Sequence, residues 1–189
     1  GPDCTCPITE PTSEPSPDWF AACAVSEEPV LRRVAARFPS LSAELAATLA
    51  QDDDEEVRIL LACHHPLAPP HLLMGVFVTR PAHRPHLLTL PAFPLTGWAH
   101  LIGHPDPDVR ALAAADPTVA EAPVEDPDES VCRAAATNPS LTPEALDALL
   151  ADSRTAEGAA ANPSLPVSRM HVLLDRCLND TATLLSGGH

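Results

Sequence analysis

Apolar residues recur in this chain at a spacing too long for one helix or strand. Leu41, Leu67, Phe93, Val119, Leu141 and Leu165 each fall two positions after a marker residue: Pro39, His65, Pro91, Pro117, Pro139 and Pro163. A second apolar column, Ala46, Leu72, Trp98, Val124, Leu146 and Met170, falls seven positions after the same markers. The first four markers are 26 residues apart and the last two follow at steps of 22 and 24. Seven positions before the marker stand Arg32, Arg58, Arg84 and Arg110, then Cys132 and Ala156. Three columns in one register define an internal repeat, in which each unit buries its apolar face against its neighbours.

Each unit reads as two short helices. The first is predicted over Glu27–Arg37, Asp54–Cys63, Asp106–Ala115 and Asp128–Thr137. The last three open on acidic residues, which suit the unpaired amides of a first helical turn. Val57, Leu61 and Ala62, like Val109, Ala113 and Ala114, share the spacing of one helical face. The second element starts at a polar cap and a proline, as in Asn138-Pro139-Ser140-Leu141-Thr142-Pro143-Glu144, and ends at Leu49, Leu101, Leu149 or Leu173. An element this brief is expected to be 3₁₀ for part of its length. The stretch Leu72 to Thr79 could pass for a strand, but its phase with Trp98 to Ile102 makes it a helix. Pro127 and Asp128 replace the apolar pair Leu101 and Ile102, which predicts a kink. The division is therefore a proline-rich, cysteine-containing arm and cap over 3–26, about six repeats over 27–180, and a polar tail over 181–189.

The Val-Arg pair opening one helix (Val109-Arg110) and the Asn-Pro-Ser-Leu sequence opening the next (138–144, and again Asn162-Pro163-Ser164-Leu165-Pro166) resemble the leucine-rich repeat variant family. The likeness covers about residues 27–180. It departs at His64-His65 and Leu90-Pro91, where Asn-Pro is the pattern. The resemblance implies an all-α fold, a right-handed α/3₁₀ helical-repeat solenoid closer to HEAT-like arrays than to a horseshoe. It also implies a binding role. Some members carry an amino-terminal cysteine segment that holds a [4Fe–4S] cluster, and on that ground Cys4, Cys6 and Cys23 are the matching ligands, with Cys63 the nearest fourth and His64 or His65 as alternatives. Zinc is the other metal thiolates select. Free thiols, or a Cys4–Cys23 disulfide in an oxidising compartment, are the alternatives.

Charge narrows the partners. The net charge is −15, with 11 basic residues against 26 acidic ones, and such a chain repels a phosphate backbone. That weighs against nucleic acid and against a HEAT-like DNA-binding or base-excision protein. The acids are unevenly placed: twelve lie in residues 3–56, none in 57–105, and fourteen from Asp106 onward. The acid-free window holds Arg58, Arg80, Arg84 and seven of the nine histidines. No run approaches the roughly 18–20 apolar residues of a membrane span and no secretory signal pattern stands out, so a cytoplasmic protein is expected.

The arginine column has two readings. Each arginine pairs with an acid at the start of its own or a neighbouring helix, or the line Arg58, Arg84, Arg110 forms a ridge that grips an acidic or phosphorylated partner. Trp98 is a residue type that anchors interfaces but stands in a core column. His64, His65 and His86 belong to the window, which gains charge below about pH 6.5. Catalytic signatures are missing: there is no nucleophile elbow, no phosphate loop and no zinc-protease motif. The leading expectation is a protein- or peptide-binding scaffold using residues 57–105. The alternative is an iron–sulfur accessory or redox protein.

Overall fold

The structure is a computed structural model and describes residues 15–119 and 121–175. Among these residues every regular element is a helix and none is a strand. None of their helices is long and apolar enough to cross a membrane. The chain divides into two compact units, Gly1–Pro94 and Leu95–His189.

The first unit runs through α1 (Pro17–Ala24), α2 (Pro29–Ala36), α3 (Ala43–Leu49), α4 (Glu55–His64), α5 (Pro70–Thr79) and, after a 3₁₀ turn at Pro81–His83, α6 (Arg84–Leu87). Ser16, Ser42 and Asp54 cap α1, α3 and α4 by accepting the amides of Trp19, Leu45 and Val57, each satisfying one donor that a helix start leaves unpaired. Helix α1 closes the amino-terminal side of the first repeat: it packs on α2, and Phe20 stacks on Phe38 with ring centroids 3.9 Å apart. Helices α2 and α4, the first helices of two successive repeats, pack side by side, and Ala35 and Ala36 on α2 and Val57 and Leu61 on α4 are fully buried. The stretch Leu72 to Thr79 is helical, as its phase predicts.

The second unit holds a 3₁₀ turn at Ala99–Leu101, then α7 (Pro107–Ala115), α8 (Glu129–Ala136), α9 (Pro143–Leu150), α10 (Ala156–Ala160) and a helical stretch over 167–175. Helices α7, α8 and α10 follow one another side by side. Small residues make this approach close: Ala114, Val131 and Ala135 form one buried cluster, and Ala136, Leu146, Ala159 and Leu165 another.

The 3₁₀ expectation for the second elements holds only at Ala99–Leu101. Helices α3, α5 and α9 are α-helical. Where Ser42 or Thr142 caps the start, the first turn closes four residues back, Ala46 N to Ser42 O at 2.9 Å and Leu146 N to Thr142 O at 3.0 Å. Trp98 offers no capping side chain, and Leu101 N bonds Trp98 O three residues back at 2.8 Å.

The repeat register also needs one correction. Each junction is a tight turn closed by one bond: Leu41 N to Phe38 O, Ala68 N to His65 O, Phe93 N to Leu90 O, Val119 N to Asp116 O, Leu141 N to Asn138 O and Leu165 N to Asn162 O. The marker is thus proline in every repeat, with Pro66 and not His65 in the second, and the steps become 27, 25, 26, 22 and 24. Accordingly Ala68 (5% exposed) and Leu73 (0%) occupy the apolar columns, and Leu67 is 57% exposed. The cause lies in the last turn of α4. His65 N bonds Leu61 O four residues back, whereas Phe38, Leu90, Asp116, Asn138 and Asn162 bond carbonyls three back. One further residue fits into α4 as a result.

Where the residue before the proline is polar, as at His65, Asp116, Asn138 and Asn162, its side chain also stitches repeats together. Asn162 donates its amide hydrogens to Ala136 O and Asn138 O, and Asn138 donates to Ala114 O and Asp116 O, all at 2.8–2.9 Å. Each asparagine Oδ1 accepts the amide two residues on, from Ser140 or Ser164. His65 does the same work in the first unit. Its Nδ1 accepts from Leu67 N at 3.1 Å, so Nε2 carries the proton and donates to Leu41 O at 3.1 Å. Asp116 accepts from Trp98 N and Thr118 N. These side chains are buried and each has partners, as buried polar groups must.

Candidate functional site

The acid-free window does not lie in one compact unit. Arg58, His64, His65, Arg84 and His86 belong to the first, Trp98 and Arg110 to the second. Within the first unit the carboxyl end of α4 opens on a pocket of about 330 Å³. The turn prolines of three successive repeats, Pro39, Pro66 and Pro91, line it together with Ala62, Leu73 and Leu90. Cys63, His64 and His65 supply its polar lining. Repeated turns in register are what bring the three prolines to one place.

The polar groups there are mostly engaged. Cys63 Sγ lies 3.8 Å from His83 Nδ1, and His86 Nε2 lies 2.9 Å from Cys63 O, close enough to cap the end of α4 by donating to it. Burial, with a smaller push from Glu56, raises the Cys63 thiol above its ordinary value, so it stays protonated at neutral pH and is a poor nucleophile. His64 is exposed and its ring sits 6.3 Å from that of His86. Partial burial, then the positive field of Arg37 and of His86, holds His64 below the ordinary histidine value. The pocket is therefore an apolar recess with the His64 imidazole on its rim. That suits binding better than acid–base work.

His65 is an interior residue of the junction and not a surface ligand. Trp98 is fully buried, its backbone amide held by Asp116 Oδ2 at 2.7 Å. Arg84 is 7% exposed, with Nε donating to Phe77 O at 2.9 Å and the guanidinium 4.9 Å from the centre of the Phe77 ring. Arg110 is bound on both edges. Its Nη1 donates to His104 O and Pro105 O, and Nε and Nη2 grip the Asp126 carboxylate, all at 3.0 Å. Arg32 repeats that arrangement on Ser26 O, Glu27 O and Asp52. The paired carboxylates are held below the usual range, chiefly by these arginine bonds. The column thus serves first as a staple. Arg32, Arg58 and Arg110 satisfy loop carbonyls before their helices, Arg84 bonds carbonyls in the last turn of α5, and Arg32 and Arg110 also clasp an acid of the next repeat. Cys132, standing in the same column, directs Sγ to Asp126 O at 3.0 Å.

Of the cysteines assigned to a cluster, Cys4 and Cys6 lie outside the described residues. Cys23 and Cys63 are buried free thiols. Among the described residues no group of three or more His, Cys, Asp or Glu side chains could hold a metal ion. The residues missed by sequence reasoning are the ladder side chains Asp116, Asn138 and Asn162, and Pro66 as the true marker. A signal was present: the residue before each later proline is a short polar one.

No family model, curated protein or solved structure matches the chain.

Proposed function

We propose that the chain is a protein- or peptide-binding module, its repeats stacked as a right-handed helical solenoid of the leucine-rich repeat variant kind. The proline-lined pocket at the end of α4 would take an apolar side chain of the partner. The observation that carries this reading is the pocket itself: about 330 Å³, at the small end of ligand-sized recesses, and walled by apolar groups. Two features support it. Leu67, directly after Pro66, and Leu88 of the same unit are more than half exposed, and no acid lies in residues 57–105 to repel an acidic partner.

The test is selection of a displayed peptide library on the full chain, followed by the variant Ala92→Trp. Ala92 is exposed and lines the pocket, so a bulky ring there fills the recess without disturbing the core. Peptides with a single apolar anchor should bind the parent and lose affinity for the variant. Peptides that bind both equally would place the contact elsewhere. Arg84 and Trp98 are unsuited to this test, because substitution of either interior side chain perturbs folding before binding.

A further inference from the structure

The arginine staple occurs with an incomplete copy. Arg32 and Arg110 each use one edge of the guanidinium on two loop carbonyls, five and six residues back, and the other edge on a carboxylate. Arg58 makes the first half: Nη1 donates to Asp52 O and to Asp53 O, the latter at 3.3 Å. The second half is missing. Asp52 stands twenty residues after Arg32, and the residue twenty after Arg58 is Val78. Among the described residues no carboxylate meets the Nε/Nη2 edge of Arg58.

Arg58 also lines a second pocket, of about 320 Å³, between α4 and α5. Ile59, Leu72 and Val76 give it apolar walls, with His71 beside them. Gly75 keeps it open, since a Cβ built there meets nothing within 4 Å. Its one acidic lining residue, Glu55, is already gripped by Nε and Nη2 of Arg80. The surroundings therefore combine an available bidentate donor edge, apolar walls and no competing free acid.

We infer that Arg58 is the docking point for an external carboxylate, presented by an aspartate or glutamate side chain of a partner segment with an apolar residue next to it. The chain supplies its own template, because Asp52 and Asp126 show how this guanidinium edge takes a carboxylate with two parallel bonds. The inference goes beyond the binding role of the proline-lined pocket. It stands on Arg58 and α5, and holds or fails whatever occupies the other recess.

The test uses the full ¹⁵N-labelled chain and follows the arginine Nε–H resonances by NMR, with the Arg58 signal assigned from its loss in Arg58→Lys. The probes are N-acetyl-Leu-Asp-Leu-amide, its Leu-Asn-Leu analogue and acetate. The aspartyl peptide should move the Arg58 signal and bind about tenfold or more tighter than the asparaginyl one, as a charge-assisted pair requires. Gly75→Leu should abolish the shift while leaving the fold intact, since its side chain enters open space. Equal binding of the two peptides, an unaltered response in Gly75→Leu, or no shift up to the solubility limit would overturn the assignment. So would acetate matching the peptide, because the site would then read the anion alone.

Discussion

The same substitution, glycine to alanine, should have opposite effects at two helical positions. Gly158 lies in α10 where its backbone meets α8. A Cβ built there would sit 2.0 Å from Arg133 O, 2.9 Å from Arg133 C and 3.0 Å from Ala136 Cβ. A carbon–oxygen contact settles near about 3.3 Å, so the helices must part by roughly 1.3 Å. The obstacle is backbone and cannot rotate away, and the separation opens the packing of Ala135, Ala136 and Ala159, all fully buried. Overpacking of this kind costs about 3 kcal/mol at the upper end of the usual range. Removing a helical glycine returns about 1 kcal/mol, which leaves about 2 kcal/mol of destabilisation. For a unit of this size the melting midpoint should fall by roughly 8–16 °C. At Gly75 there is no obstacle, and alanine should stabilise α5 by about 0.5–1 kcal/mol. The two tryptophans report separately, since Trp19 belongs to the first unit and Trp98 to the second. Gly158→Ala is therefore read from Trp98 in a Trp19→Phe background, and Gly75→Ala from hydrogen exchange of the α5 backbone amides. A Gly158→Ala protein that melts at or above the parent would refute the close approach of α10 to α8.

Further outcomes follow from the buried polar groups and the ion pairs. Asn162→Leu leaves Ala136 O without its side-chain partner and takes one of two bonds from Asn138 O, and should cost about 1–3 kcal/mol by urea unfolding; His65→Asn should be milder than His65→Leu, because asparagine serves the same place in the later repeats. The Asp52, Asp54 and Asp126 carboxyls are lowered chiefly by bonds from Arg32, Arg33 and Arg110, and Asp128 by Ser130. Depressed native values mean that the unfolded chain binds protons first, so their stabilisation is complete above about pH 4–5 and is lost as pH falls through the native values. Urea midpoints should drop over that window, and Asp126→Asn should flatten the drop in the second unit. His64 should titrate by NMR below the ordinary value of about 6.5, and Arg37→Gln should move it upward by removing a nearby positive charge.

Much of this protein was legible in the order of its residues because the signals are local. Ser42, Asp54, Asp128 and Thr142 cap helices within three residues of themselves, and prolines in first turns of α5, α7 and α9 suit groups that lack partners there. Val57, Leu61, Val109 and Ala113 declared their buried faces through helical spacing alone. The tertiary structure decided what depends on distant partners. Whether the last turn of α4 takes one residue more hangs on which carbonyl His65 N meets, and that shift moved a whole repeat out of its apparent register. Whether an arginine of the column is closed or available hangs on a residue one repeat away: an aspartate for Arg32 and Arg110, Val78 for Arg58. The burial of Trp98 was marked by its place in the second apolar column, whereas that of Arg84 is set by packing against Phe77, which no spacing in the chain encodes.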